Sequence, residues 1–357
     1  MKILFLTQTG PLGPSSRYRV YQLLPGLEKL GIQGTVSPAI DDDLYRTLYL
    51  NPGGRASRRA AFLATWKARR VDLERLAGFD AVFVQKGVFP GLYAGFESRI
   101  ARRRPMVFDF DDAIWLPREG GSPLLRLVHR ERAVQEILRR AAAVVAGNDY
   151  LADYARRFNR AVTVVPSAID VGRYSLVSAH HSNTPSLQSP APPLIGWMGS
   201  STTLPYLKPL RPVFQRLGVN PRVIGSGDPS ALGFDVDFRP WRLETESAEL
   251  AQLSIGIAPL PDTPWEHGKC GVKLLQYMAA GIPVVASPVG VHNRIVRHGV
   301  NGFLARNEAE WIDGLSRLIS DADLRARLGA AGRQTVEQDY ALPRAAEQVA
   351  GVLRDLR

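Results

Sequence analysis

The stretch with the clearest chemical potential runs Gly268-Lys-Cys-Gly-Val-Lys273, then turns apolar at helical spacing through Leu274, Leu275, Met278 and Ala279 before Gly281-Ile-Pro283. Glycines at the opening of a helix leave its first backbone amides bare, and those amides together with the helix dipole attract an anion. Lys269 and Lys273 stand beside that opening, so the spacing predicts a helix over 273–280 whose start, with the Gly271 amide, cradles a diphosphate. A second set of polar residues closes apolar runs nearer the N-terminus. Asp109-Phe-Asp-Asp112 puts three carboxylates in four residues, Arg17 and Arg19 follow the turn Gly10-Pro-Leu-Gly13, and Gln85-Lys86 ends another run. Strand-end side chains of an α/β layer face the crevice where ligands bind, which makes Gly13, Arg17, Arg19, Gln85, Lys86, Asp111 and Asp112 candidates for holding a hydroxyl-bearing substrate. Asp112 is the candidate partner for the reacting hydroxyl. The competing reading of the carboxylates is a solvated turn with helix-capping duty, and that of the two arginines an exposed first helical turn. The six histidines show no metal-ligand spacing, no metal ligand is assigned, and Cys270 is expected to pack as a small residue under the phosphate turn.

These residues need elements to hold them. Ile3 to Thr7, the glycine turn and the helical spacing of Tyr18 to Leu30 read as strand, turn and helix. The same alternation returns at 81–85, 106–109, 143–146 and 162–165, and uninterrupted apolar strands of this kind suit a parallel sheet covered on both faces. A second alternating series occupies 194–198, 221–224, 254–258 and 282–286. Residues 175–193 between the two series are rich in Ser, His and Pro and read as a linker. At 357 residues the chain has room for two such domains, one over 1–174 and one over 194–335, with a C-terminal helix at 336–357 expected to pack back on the first. The basic stretch Arg55 to Arg70, with Ala61, Phe62, Ala64 and Trp66, reads as an amphipathic helix.

Gly268 through Gly290, followed by Gly299-Val-Asn-Gly-Phe-Leu304, closely resembles the donor-binding signature of the family 4 retaining glycosyltransferases. Val164-Val-Pro-Ser-Ala-Ile-Asp170 is similar to the segment with which that family ends its first domain. The resemblance implies an α/β protein of the GT-B fold, with two Rossmann-like doubly wound domains facing a central cleft. It gives the acceptor to the first domain and a nucleoside diphosphate sugar to the second. Gln276 stands where the family has an acidic residue on the nucleotide ribose, and an amide still hydrogen-bonds two hydroxyls. The family's preceding Glu falls on Gly268, which leaves Glu266 as the candidate carboxylate for the donor sugar. The usual Arg and Lys pair is also missing after Gly199, where the chain reads Ser200-Ser-Thr-Thr-Leu-Pro-Tyr-Leu-Lys208. Gly199, Ser200 and Ser201 are then the expected amide and hydroxyl donors to the diphosphate, with its charge neutralised by Lys208, Lys269 or Lys273.

Composition narrows the partners. Forty-five Lys and Arg against 34 Asp and Glu leave a net charge of +11, which draws phosphates, nucleic acids or anionic headgroups. The expected partners are a nucleotide sugar, a glycan or lipid-linked acceptor and an anionic membrane surface; nucleic acid is not expected. One cysteine excludes an internal disulfide. No run of about 18 uncharged apolar residues suggests a spanning helix, and no cleavage signal follows the first apolar run. The expected location is the cytoplasm, peripheral at the inner face of the membrane. The expected reaction is transfer of a sugar to an acceptor hydroxyl, with retention implied by the resemblance. It needs no cofactor beyond the donor and no obligatory metal, because a neutralised diphosphate leaving group can take the acceptor proton. Two alternatives stay open: a nucleotide-sugar-binding GT-B protein without transfer activity, which the departures at Gly268 and Gln276 favour, and a nonhydrolysing sugar epimerase, whose acidic pair is not evident.

Overall fold

The computed structural model describes residues 1–50, 58–88, 95–116, 130–174 and 192–356. Most of the expected linker, 175–191, lies outside the described residues, as do Arg55 and the side chains of Arg58 and Arg59. The chain divides into two compact units. The first comprises Met1–Ala168, Thr263–Cys270 and Leu342–Arg357, and the second Ile169–Asp262 and Gly271–Ala341.

The first unit is built on a six-stranded sheet of β1 (Lys2–Thr9), β2 (Gln33–Ile40), β3 (Ala81–Gln85), β4 (Met106–Phe110), β5 (Ala143–Ala146) and β6 (Val162–Val164), in the order β2-β1-β3-β4-β5-β6. All its pairings are parallel. Every residue of β3, β4 and β5 is buried, which is why those strands read as apolar runs interrupted only by Gln85 and Asp109. β2 is an edge strand with an exposed start and a proline at 38, so its sequence carries no such run. The chain's last helix, Leu342–Arg354, lies on the Leu24–Lys29 helix. There a Cβ on Gly26 would stand 2.8 Å from that of Ala346, and Arg354 Nη2 donates to the Leu30 carbonyl at 2.8 Å.

The second unit holds a parallel sheet of β7 (Ile195–Gly199), β8 (Arg222–Gly225), β9 (Asp237–Pro240), β10 (Ile255–Ala258), β11 (Val284–Ala286) and β12 (Phe303–Leu304), in the order β12-β11-β10-β7-β8-β9. Strand order therefore reverses between β7 and β10, as it does between β1 and β3 in the first unit. In open α/β sheets ligands bind outside the carboxyl ends of the strands at such a reversal. The residues that follow β7 are Ser200–Thr203, and those that follow β1 and β3 are the Gly10–Gly13 turn and Lys86.

Candidate donor and acceptor sites

In the second unit the site is set by the Val272–Ala279 helix. Gly271 before it has φ 68°, a left-handed conformation that a side chain disfavours, and a Cβ there would also meet Ile295 Cδ1 at 2.4 Å. As the N-cap residue, Gly271 has no side chain with which to cap the first turn. One turn in, Tyr277 packs against Gly256 of β10, whose missing side chain makes room for the ring. The Tyr277 hydroxyl accepts the Met198 amide of β7 at 2.7 Å. Lys273, four residues earlier on the same face, is thereby aimed at the end of β7. Its Nζ lies 4.1 Å from the centroid of the buried Trp197 ring and donates to Thr203 Oγ1 at 3.2 Å. A Cβ on Gly199 would stand 2.6 Å from that ammonium and 2.4 Å from the Trp197 ring, so glycine is what admits Lys273.

Within the second unit Lys273 thus stands against Gly199 and Thr203, with Ser200 and Ser201 between them in the loop and Gly271 two residues before Lys273. Ser200 and Ser201 are exposed, the Ser200 and Thr202 hydroxyls are 2.8 Å apart, and the Ser201 amide donates to Ser226 Oγ at 3.1 Å. Lys208 is exposed on the Leu204–Leu210 3-10 helix; the ammonium that reaches the loop is that of Lys273.

Three features of this unit escaped sequence reasoning. The first is the turn Gly225-Ser226-Gly227 after β8: a Cβ on Gly225 would stand 2.5 Å from the Gly199 carbonyl, so the two glycine turns lie side by side. The Gly-x-Gly spacing after an apolar strand was the available signal. The second is His292, buried, whose Nδ1 is 3.0 Å from the Ser287 carbonyl. A carbonyl only accepts, so Nδ1 carries the proton. Burial, reinforced by the Lys273 charge and opposed by that bond, pushes the His292 pKa down to about 4. The third concerns Gln276, which the resemblance assigns to ribose. Its Nε2 donates to the Tyr174 hydroxyl at 3.2 Å, and that hydroxyl donates to Glu246 Oε1 at 3.3 Å. Trp241 Nε1 donates to Glu246 Oε2 at 2.8 Å, and Gln276, Tyr174 and Glu246 are all buried. Nothing in the sequence links positions 102 residues apart.

In the first unit the strand-end residues form ion pairs. Lys86, the single non-glycine residue with positive φ (61°) among the described residues, directs its ammonium to Asp111 Oδ1 at 2.8 Å, Ser15 Oγ at 2.6 Å and Asp112 Oδ2. Lys269 Nζ meets Asp112 Oδ1 at 2.8 Å. Burial opposes the Asp112 charge, but Lys269 and then Lys86 outweigh it and hold the carboxyl well below the usual range. Burial likewise opposes the Lys86 charge, and Asp111 and Asp112 overcome it. Lys269 is therefore matched to a carboxylate, which corrects its reading as a bare phosphate ligand. Its carbonyl accepts from Asn148 Nδ2 at 3.0 Å, and the same amide's oxygen caps the Asp149–Arg156 helix through the Leu151 amide.

Other candidates are turned inward. Arg19 is buried against Asp109, with its Nη1 on the Val165 carbonyl at 2.6 Å, so both residues belong to the core rather than to an exposed turn. Gln85 Oε1 accepts from the Gln8 amide at 3.2 Å and Ser16 Oγ at 3.0 Å, which ties β3 to β1. Arg17 is buried with Nη2 3.3 Å from the Tyr18 hydroxyl. Gly13 opens the Pro14–Ser16 turn where a Cβ would strike Thr9 Oγ1 at 1.9 Å. Glu266 is buried and accepts the Thr263 hydroxyl, three residues back in its own turn. Gly268 is walled by Ala113, whose backbone nitrogen would stand 2.6 Å from a Cβ, so no side chain fits at this position without a shift of the backbone. Cys270 packs against Gly147 with its Sγ 3.5 Å from the Asp111 carbonyl, and burial followed by the Asp111 charge pushes its pKa far up. Among the described residues no group of three or more His, Cys, Asp or Glu side chains is placed to hold a metal ion.

Two Rossmann-like doubly wound units in one chain define the GT-B class of fold. Residues 207–321 match the model of the family described as Glycosyl transferases group 1. Over 242 residues the chain is 28% identical to a D-inositol 3-phosphate glycosyltransferase of Nocardia farcinica, a match covering 59% of this chain and 52% of that one. The chain thus spans about half the length of this curated relative. Two solved structures follow the fold along the whole chain: sucrose-phosphate synthase from Thermosynechococcus elongatus (TM-score 0.72, 16% identity, 100% of this chain and 99% of that one) and HepE from Anabaena in complex with UDP and glucose (TM-score 0.70, 18% identity, 99% and 100%). The resemblance read at 268–304 holds at the level of this family and of the GT-B fold.

Proposed function

We propose that the chain transfers a sugar from a nucleoside diphosphate donor, held by the second unit, to a hydroxyl of a glycan or lipid-linked acceptor held by the first. The observation that carries this reading is the placing of the Lys273 ammonium at the Gly199–Thr203 loop, on the strand reversal between β7 and β10. The diphosphate would lie on the Ser200 and Ser201 donors and the first amides of the Val272–Ala279 helix, with Lys273 neutralising the charge that grows as it leaves. Lys208 adds longer-range attraction, and Gln276 offers its amide oxygen to a ribose hydroxyl. The bond from the anomeric carbon to the diphosphate oxygen breaks and that from the acceptor oxygen forms. The acceptor proton passes to the departing diphosphate on the same face, which retains the anomeric configuration. Neither a metal nor another cofactor is called for.

Asp112, held ionised between two lysines, is a poor proton acceptor but a fixed hydrogen-bond acceptor for the incoming hydroxyl. Lys86 holds it in place. Because HepE was crystallised with UDP, uridine sugars are the first donors to test. A cytoplasmic protein peripheral at the inner membrane face suits a lipid-linked acceptor. Release of UDP or GDP from a panel of nucleotide sugars, enhanced by acceptor, supports the transferase.

Tight donor binding without turnover supports the second reading, a nucleotide-sugar-binding protein without transfer activity. The wall that Ala113 makes at Gly268 favours it, because the missing carboxylate cannot be supplied there.

A further inference from the structure

The Arg58–Glu74 helix is turned inside out relative to an ordinary surface helix. Its buried side chains are polar, Thr65, Arg69 and Asp72, beside the partly buried Leu73 that packs against the core. Thr65 Oγ1 donates to the Ala39 carbonyl at 2.8 Å. Arg69, fully buried, donates to the carbonyls of Thr7, Ser37 and Val88 at 2.8, 2.9 and 3.0 Å and pairs with Asp72 at 2.9 Å. Asp72 is in turn held by Arg75 and by the Ser37 hydroxyl. The outward face carries the large apolar side chains: Phe62, Leu63, Trp66 and Val71 are 45%, 56%, 38% and 55% exposed. Lys67 and Arg70 are interleaved with them on the same side, and the Arg70 guanidinium lies 4.8 Å over the Trp66 ring.

We infer that this outward face is a docking surface for an anionic lipid bilayer. Attaching the helix through polar bonds leaves its apolar residues for another medium. Two aromatic and two aliphatic residues mixed with basic heads match the interface between acyl chains and phosphate headgroups, where tryptophan settles and Lys and Arg reach anionic phosphates. A second copy of this chain fits the face less well, because it would bring a charge of +11 against another +11. Among the described residues no helix is long and apolar enough to cross a membrane, so this mode of attachment is superficial. The inference deepens the peripheral-membrane part of the proposed function and stands apart from the transfer chemistry.

The test uses the full chain with vesicles of phosphatidylcholine alone or with about one third phosphatidylglycerol, read by co-sedimentation. The wild type is expected to sediment with the anionic vesicles only. Leu63→Ser/Trp66→Ser/Val71→Ser and, separately, Lys67→Gln/Arg70→Gln should each weaken that binding at least tenfold. Both variants should keep the wild-type circular dichroism and affinity for UDP, so that loss of the surface is told apart from loss of the donor site. Bromine-labelled lipids should quench part of the tryptophan emission, and Trp66→Phe should abolish that part. Absence of vesicle binding by the wild type, or binding unchanged in the triple variant, would overturn the inference. So would a lipid-free dimer that the triple variant dissociates, since the occupant would then be a second copy.

Discussion

The Lys273 ammonium stands 4.1 Å from the centroid of the Trp197 ring, at the end of the strand that Trp197 itself belongs to. A cation over an indole face is held by roughly 1 kcal/mol or more when water is partly excluded. The charge is therefore in position before any anion arrives. Tyr277 sets the height of the helix through the Met198 amide, and Gly199 keeps the space open. This arrangement supplies from a helix the basic group that the loop after Gly199 lacks.

Lys273→Met should lower turnover about 100-fold, the usual consequence of removing one charge-stabilising donor from a leaving group. Folding should survive, because the described contacts of Nζ, with Thr203 Oγ1 and the Trp197 ring, lie at the loop after β7 rather than in the core of the sheet. The check is initial rate against nucleotide sugar alongside thermal unfolding. Wild-type turnover in a stably folded variant would remove Lys273 from the site.

Gly199→Ala tests the same geometry from the other side. The new methyl falls within 2.6 Å of both the ammonium and the indole, which forces one of them to move at a cost of about 1–3 kcal/mol. A raised KM for the donor with a modest drop in melting temperature is expected. An unchanged KM would mean that Lys273 need not stand where it does.

Gln276→Glu should destabilise the protein rather than restore a missing carboxylate. The Tyr174 hydroxyl has one proton, which it already donates to Glu246, so a second buried carboxylate at 276 would be left facing it without a donor. A loss of about 1–3 kcal/mol in denaturant unfolding is expected, with recovery in Gln276→Glu/Glu246→Gln, where the two partners exchange roles. Additive losses in the double variant would contradict the pairing.

His292 gives the stability a pH dependence of known sign. Its pKa is about 4 in the folded chain against 6.5 ordinarily, so between those values the unfolded state binds more protons and stability falls as pH falls. The full effect is about 3 kcal/mol, reached below pH 4. His292→Gln should flatten the slope between pH 6.5 and 4 in urea titrations, and an identical slope would show that another group sets it. Lys273→Met should also raise the His292 pKa, because the Lys273 charge helps to lower it.

What was legible in the sequence follows from burial. β3 and β5 were bounded to the residue, because strands buried on both faces are largely apolar and stand out from their flanks. The three strands that went unread, β2, β9 and β12, all lie at sheet edges, where solvent tolerates Gln33, Pro38, Asp237 and Arg239. At the site, Lys273 and Gly199 were readable because glycine and lysine at a helix opening and a strand end have few other uses together. The lysine–aspartate pairs were not, since the partner of Lys269 is 157 residues away and opposite charges show no spacing until the sheet assembles. For the same reason Arg19 and Gln85 looked available for a ligand and are bound within the fold instead.

The most direct measurement is titration calorimetry of uridine, UMP and UDP against the wild type and Lys273→Met. If Lys273 receives the diphosphate, UDP should bind the variant at least tenfold more weakly than the wild type, while uridine binds both alike. Equal UDP affinity in the two proteins, or an equal loss for all three ligands, would contradict it.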